Sequence, residues 1–253
     1  MSLITRHFVL NLGFSPPNLR ESNNMKMKMK SKPIAPAALL LGIALFCAPQ
    51  ARLSARDRFV PPDITSASEI PFPVEVVASG LVTLALNISV AGQPPDVQVL
   101  RDIPGLTSLT SSIVKGWSYT PGKLDGNPAP STITVEVVFN PGDSLNQSMK
   151  IAPVAPTPPP FPAGYLPPEV SVVSFALYQP NSVGVGTVVL DVTIDKYGSV
   201  KKTDVIRDVP SLTPEAIAAV KRWTINPATF NGKAIISKLV VAFVFRSPTM
   251  TTR

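Results

Sequence analysis

The sequence predicts an α+β protein with two small domains, each a three-stranded antiparallel sheet with one helix packed on a face, in the order strand, strand, helix, strand. Three observations carry that expectation: a gapless internal repeat, apolar alternation of period two around a helix start signal in each copy, and a proline-rich stretch between the copies. Residues 186–246 match residues 80–140 at a constant offset of 106, the separation of Trp117 and Trp223. Gly80 falls on Gly186, Val82 on Val188, Leu84 on Leu190, Gly92 on Gly198, and Arg101-Asp102 on Arg207-Asp208. Leu106-Thr107 falls on Leu212-Thr213, Pro121 on Pro227, Gly126 on Gly232, and Phe139 on Phe245. Chance does not easily place Trp, Pro, Gly and Phe together at one offset, so the chain carries a duplicated domain.

The elements are clearest in the second copy. Val188, Leu190, Val192 and Ile194 alternate with Thr187, Val189, Asp191 and Thr193, the pattern of a half-buried strand. Tyr197-Gly198 marks a tight turn, and 199–207 is a returning strand. Thr213-Pro214-Glu215 supplies an N-cap, a proline at the first helical position and an early acid, so a short helix is expected to run to about Trp223. Pro227 and Gly232 follow it, and Leu239, Val241, Phe243 and Phe245 form the inner face of a closing strand. Trp223 is the expected core plug. The first copy keeps the strands, but Thr107 to Ser112 replaces an alanine-rich helix and Gly116 sits in its last turn. Both changes lower helix propensity and mark this copy as degenerate.

Between the copies, Ile151 to Pro168 holds eight prolines and reads as a semi-rigid spacer. At about 3.1 Å per residue it would hold the domains up to roughly 55 Å apart, each with its own core. The expected map is 1–24 as an over-extended start, 25–55 as a signal peptide or signal anchor, and 56–78 as a linker. The first domain follows at 79–142, the proline-rich linker at 143–170, the second domain at 171–247 and a tail at 248–253.

The net charge of +7 raises the question of a nucleic-acid partner. Residues 1–55 hold seven basic groups (Arg6, Arg20, Lys26, Lys28, Lys30, Lys32, Arg52) against the single acid Glu21, which accounts for +6 and leaves the repeats near neutral. No nucleic-acid partner is expected. The four lysines from Lys26 to Lys32 precede the apolar run Ile34 to Ala48 and small residues ending at Leu53-Ser54-Ala55, the layout of a secretory signal peptide. The run is shorter than the ~20 residues of a membrane span, which favours removal after Ala55 and a periplasmic product over an inner-membrane anchor. Cleavage there would remove Cys47 and His7, the only cysteine and histidine. Cys and His nucleophiles and bases, disulfides and Cys/His zinc sites are then excluded. No enzyme, cofactor or metal is expected.

Several features invite sharper readings. Asp191, Asp195, Asp204 and Asp208 are expected to lie on a solvated strand face rather than form a cation site. Arg101-Asp102 and Arg207-Asp208 read as ion-paired junctions between strand and helix.

Four features of the second copy together resemble the C-terminal domain of the TonB family of energy transducers: the strand Gly186 to Asp195, the Tyr197-Gly198 turn, the helix end Ala219-Val220-Lys221-Arg222-Trp223 with Pro227, and the Asn231-Gly232-Lys233 turn. The resemblance implies a protein-binding module of the periplasm that accepts an extended segment of an outer-membrane receptor by strand addition. It places the receiving edge on the strand after the helix, at Ile236, Lys238, Leu239, Val240, Ala242 and Val244. Tyr178, Gln179 and Pro180 are the nearest counterpart of an upstream motif. Transducers of the family keep their N-terminal helix in the inner membrane, facing a proton channel with a His/Ser face; Ile34 to Ala48 has neither residue. The rival readings are an anchored transducer working with that channel, and an envelope-assembly protein that dimerises through its strand edges.

Overall fold

The computed structural model describes residues 58–73, 79–93, 96–140, 147–154, 160–178 and 184–246. The segments expected to be the start, the apolar run and the tail lie outside them. In the first copy the elements are β1 (Phe59–Val60), β2 (Asp63–Ser66), β3 (Gly80–Ile88), β4 (Asp96–Arg101), α1 (Thr107–Lys115), β5 (Ser118–Thr120), β6 (Lys123–Leu124), β7 (Asn127–Pro128) and β8 (Ser131–Phe139). After the connecting strand β9 (Ser148–Lys150), the second copy repeats them as β10 (Tyr165–Leu166), β11 (Glu169–Ser174), β12 (Gly186–Ile194), β13 (Val200–Arg207), α2 (Thr213–Val220), β14 (Thr224–Asn226), β15 (Thr229–Phe230), β16 (Lys233–Ala234) and β17 (Ser237–Phe245). The class is α+β, with short strands around the long ones that the sequence reading did not include.

The turns and caps have local causes. Gly92 and Gly198 turn at φ 80° and 86°; a Cβ on Gly198 would lie 2.0 Å from the Ile225 carbonyl, so only glycine fits. Asp195 Oδ1 accepts from the N–H groups of Tyr197 and Ser199 and holds the tighter turn. Thr213 is not the N-cap. Leu212 occupies that position, and the Thr213 hydroxyl instead accepts from Val209 N–H and lies 2.5 Å from Asp208 Oδ1. Thr107 does the same with Ile103. The second helix ends at Val220, short of the expected Trp223, whereas the serine- and threonine-rich α1 is one residue longer than α2. Burial of Leu106, Thr110 and Val114 overrides its weak propensity, and Thr110 returns its hydroxyl to the Leu106 carbonyl.

The expectation of two separate cores is corrected by the sheet. Its order is β13-β12-β17-β8-β3-β4, a single six-stranded sheet to which each copy contributes three strands. β17 pairs antiparallel with β12 over nine positions and parallel with β8 from Val240 opposite Val135 to Val244 opposite Phe139. Parallel strands stay parallel only under rotation about an axis along their own direction, and that rotation exchanges the faces of the sheet. Neighbours in a parallel pair share a face, so repeat-equivalent residues must be out of step by an odd number. The step is one: the repeat partner of Val135 is Val241, but its neighbour is Val240.

The helices therefore lie on opposite faces. α2 covers Val188, Leu190, Val192, Val241 and Phe243, together with Leu81 and Val138 of the first copy. On the other face α1 covers Val82, Leu84, Val135 and Val137, together with Val189, Val240, Ala242 and Val244 of the second. Each core takes residues from both copies, so neither sheet half is complete alone.

The spacer reading is corrected too. Ile151 is buried and donates its N–H to Ser171 O, and β9 pairs with β11, so the connector folds back over the first copy's sheet. The repeat also begins earlier than expected. Phe59-Val60-Pro61-Pro62-Asp63 and Tyr165-Leu166-Pro167-Pro168-Glu169 are equivalent at the same offset, and the rings of Phe59 and Tyr165 meet at 4.7 Å where the copies face each other. Residues assigned to linkers are thus the first strands of both copies. Trp117 Nε1 donates to Ser68 Oγ, just past β2, and Trp223 Nε1 to the Ser174 carbonyl at the end of β11, tying each core tryptophan to its own upstream segment.

Candidate functional site

The strand expected to receive a partner is interior. Leu239, Val240, Ala242 and Val244 are fully buried, and β17 has a neighbour on each side, so the open edge expected at 236–245 is taken by the protein's own β8. Asn140 locks the junction: its N–H donates to Val244 O, its Nδ2 to Ala176 O, and its Oδ1 accepts from Ala176 N–H. Ile236 remains exposed just before β17. Tyr178 is half-buried beside Phe245, with its hydroxyl donating to Gly184 O, and lies in the packing rather than on an edge. Gln179 and Pro180 lie outside the described residues.

Lys238 has a structural partner. Its Nζ lies 2.5 Å from Asp191 Oδ2 and 2.7 Å from Asp63 Oδ1, which brings the upstream segment of the first copy onto the sheet of the second. Asp191 is therefore buried, not on a solvated face. Burial pushes its carboxyl up to about 6 despite the lysine, and the nearby Asp63 charge adds to the shift. Burial opposes the Lys238 charge as well, but the two carboxylates outweigh it and hold the ammonium above its ordinary range. The same segment is held by Glu69, 2.7 Å from Arg207, and by Ile70, whose N–H and carbonyl both bond the Thr187 hydroxyl.

The two Arg-Asp junctions are corrected by these contacts, since neither arginine pairs with its neighbouring aspartate among the described ion pairs. Arg207 reaches Glu69, and Arg101 donates from Nη2 to Ala152 O; each arginine pins the segment that crosses its own half-sheet. Among the described residues no group of three or more His, Cys, Asp or Glu is placed to hold a metal, and no helix is long and apolar enough to cross a membrane.

With β17 enclosed, the sheet of the described residues ends at β4 and β13. These edges are repeat equivalents with different guards. β13 carries Lys201 and Lys202, with Lys202 2.8 Å from Asp204, and charged side chains of this kind deter strand pairing. β4 has no lysine; the exposure of Val99 at its centre, 44%, is close to the 42% of its equivalent Val205 on β13. The reading from sequence missed β4 because a sheet edge is defined by what fails to pair with it. A signal against β17 was present: Leu239 to Phe245 is apolar without a break, as befits a strand buried on both faces.

Comparison with known proteins agrees with the duplicated fold. The sequence profile of the Gram-negative bacterial TonB protein C-terminal family matches residues 76–141 and again 184–247, together just over half of the chain. No curated protein and no solved structure matches. Two matches at the positions of the two structural copies show that this chain belongs to the TonB C-terminal family, in tandem.

Proposed function

We propose that the chain is a TonB-like protein-binding protein of the Gram-negative envelope that engages an extended segment of a partner, such as an outer-membrane receptor, by strand addition at β4. The observation that carries this reading is the sheet order, which encloses β17 and, among the described residues, leaves β4 as the edge without lysines. Displacing β8 from β17 instead would open both cores, because each takes residues from the other copy. Edge addition leaves them closed and supplies main-chain hydrogen bonds along an existing template.

Site-specific photo-cross-linking in the native envelope tests the edge. A cross-linker at Val99 is expected to capture a partner while one at Val205, the equivalent position on β13, captures little. Capture at Val205 alone, or only on forced opening of the β8–β17 junction, would overturn the β4 assignment.

The basic run and apolar stretch before Ala55 support export, with signal-peptide removal giving a free periplasmic product. Intact-mass analysis of the protein from its own envelope decides this. A chain beginning near Arg56 fits the proposal; one that keeps Met25 supports the anchored transducer and its inner-membrane proton-channel partner. The same strand edge offers a homodimer contact, and dimerisation that blocks cross-linking at Val99 would favour the envelope-assembly reading.

A further inference from the structure

The two copies expose opposite faces to the segments that cross them, and the crossings are not equivalent. On the second copy the crossing is closed by Lys238 with Asp63 and Asp191 and by Arg207 with Glu69. On the first copy a cavity of ≈ 340 Å³ remains between the sheet and the connector. Its polar end is formed by Thr134, Glu136 and Arg101, and its walls by residues such as Ile151, Pro168 and Val170. Glu136 is 3% exposed and Thr134 4%, so both are taken out of bulk water.

These groups lack the partners that burial normally demands. Thr83 donates to Glu136 Oε2 at 2.6 Å, but Thr134 Oγ1 has no hydrogen-bond partner among the described residues, nor does Arg101 Nε, which shares that state with its repeat equivalent Arg207 Nε. At the repeat-equivalent positions the second copy has Val189, Val240 and Ala242 in place of Thr83, Thr134 and Glu136. A packed sheet face of this fold therefore does not need a threonine or an acid at these places.

We propose that this cavity is a binding site for a small neutral ligand with an apolar body and an amide-like head that both donates and accepts hydrogen bonds. An anionic head would face Glu136 and Glu169, and a cationic ammonium head could not accept from the Thr134 hydroxyl or Arg101 Nε; a neutral head that both donates and accepts serves all of these groups. Its N–H meets the Glu136 carboxyl, and its carbonyl accepts from the Thr134 hydroxyl or Arg101 Nε. The aliphatic body lies against the proline and valine wall. The volume falls at the lower end of small-molecule pockets, which limits the ligand to a compact one. The site does not depend on strand addition at β4.

The test is calorimetric titration of the full chain with N-acetyl-leucinamide, and with its cationic and anionic analogues leucinamide and N-acetyl-leucine. Saturable one-to-one binding of the neutral probe is expected, with each charged analogue weaker. The double variant Thr134→Val with Glu136→Ala, which installs the second copy's own residues, is expected to weaken binding about tenfold or more. Near-ultraviolet dichroism from Trp117 and Trp223 verifies its fold. Should it fail to fold, the near-isosteric T134V alone carries the test, with an expected loss of about threefold or more. Absence of saturable binding, tighter binding of a charged analogue, or an unchanged affinity in the folded variant would overturn the proposal.

Discussion

The two crossing faces of the sheet began as copies of one another and have taken opposite electrostatic solutions. On the second copy a buried acid, Asp191, is met by Lys238 and the crossing segment is clamped onto it. On the first copy a buried acid, Glu136, is met by a neutral threonine and a cavity. The difference teaches that the duplication conserved the scaffold, with each helix on its own face, while the inward polar positions diverged. A charge that is matched closes a face, and one that is not leaves it open for something else.

The largest expected effect comes from breaking the matched face. Lys238→Met strands the Asp191 carboxylate in the protein, and removing one partner of a buried pair costs about 3–5 kcal/mol. Urea denaturation at pH 8 is expected to show that loss, with part of it recovered at pH 5 as Asp191 takes up a proton. A loss below about 1 kcal/mol would mean that Asp63 and Lys238 do not clamp this face.

Glu136→Ala sharpens the comparison from the other side. Burial pushes the Glu136 carboxyl up to about 7, against the hydrogen bond from Thr83 and the Arg101 charge, with Glu169 adding to the rise. Below about pH 4.5 the group is protonated in both the folded and unfolded chain and its ionisation costs no stability. Between 4.5 and 7 the unfolded chain releases the proton first, so the wild type loses stability as pH rises, and above 7 the whole penalty is present. E136A removes it. The stability of the variant relative to the wild type should therefore grow by about 3 kcal/mol from pH 4.5 to pH 8. A difference that stays flat with pH would show that Glu136 is not held in an apolar surround.

Smaller effects follow for single polar groups. Thr134→Val removes a buried hydroxyl that has no partner among the described residues and should stabilise the chain by about 1 kcal/mol, seen as a raised thermal midpoint. Glu69→Gln weakens a half-exposed ion pair with Arg207 and should cost no more than about 1 kcal/mol, less at high salt. A larger salt-insensitive loss would make Glu69 an essential clamp and not a rim contact.

Much of this architecture was legible from residues alone. The offset between Trp117 and Trp223 located the helices and the long strands, and Gly92 and Gly198 located the tight turns. The same offset also joined Phe59-Val60-Pro61-Pro62 to Tyr165-Leu166-Pro167-Pro168, but their prolines read as linker and hid two strands. Proline is tolerated between short strand segments where no ladder hydrogen bond is required, so composition alone misdirects there. The candidate site was less legible. By family resemblance Leu239, Val240, Ala242 and Val244 belong to a receiving edge, although an unbroken apolar strand fits burial on both faces. Glu136 stood in the middle of such a strand, a local conflict between charge and pattern that marks a site of interest.

The sequence by itself determined the duplication, the α+β class and the family, because strand and helix periods and turn residues are local properties. Tertiary structure alone decided that β8 and β17 join, that the helices fall on opposite faces, and that one crossing closes while the other keeps a cavity. Edge pairing is made by backbone groups that every residue carries, so no side-chain pattern announces its partner. Asp191 is matched by Lys238 on the neighbouring strand, but the segment that closes over the pair comes from a part of the chain more than a hundred residues away, through Asp63 on the same lysine.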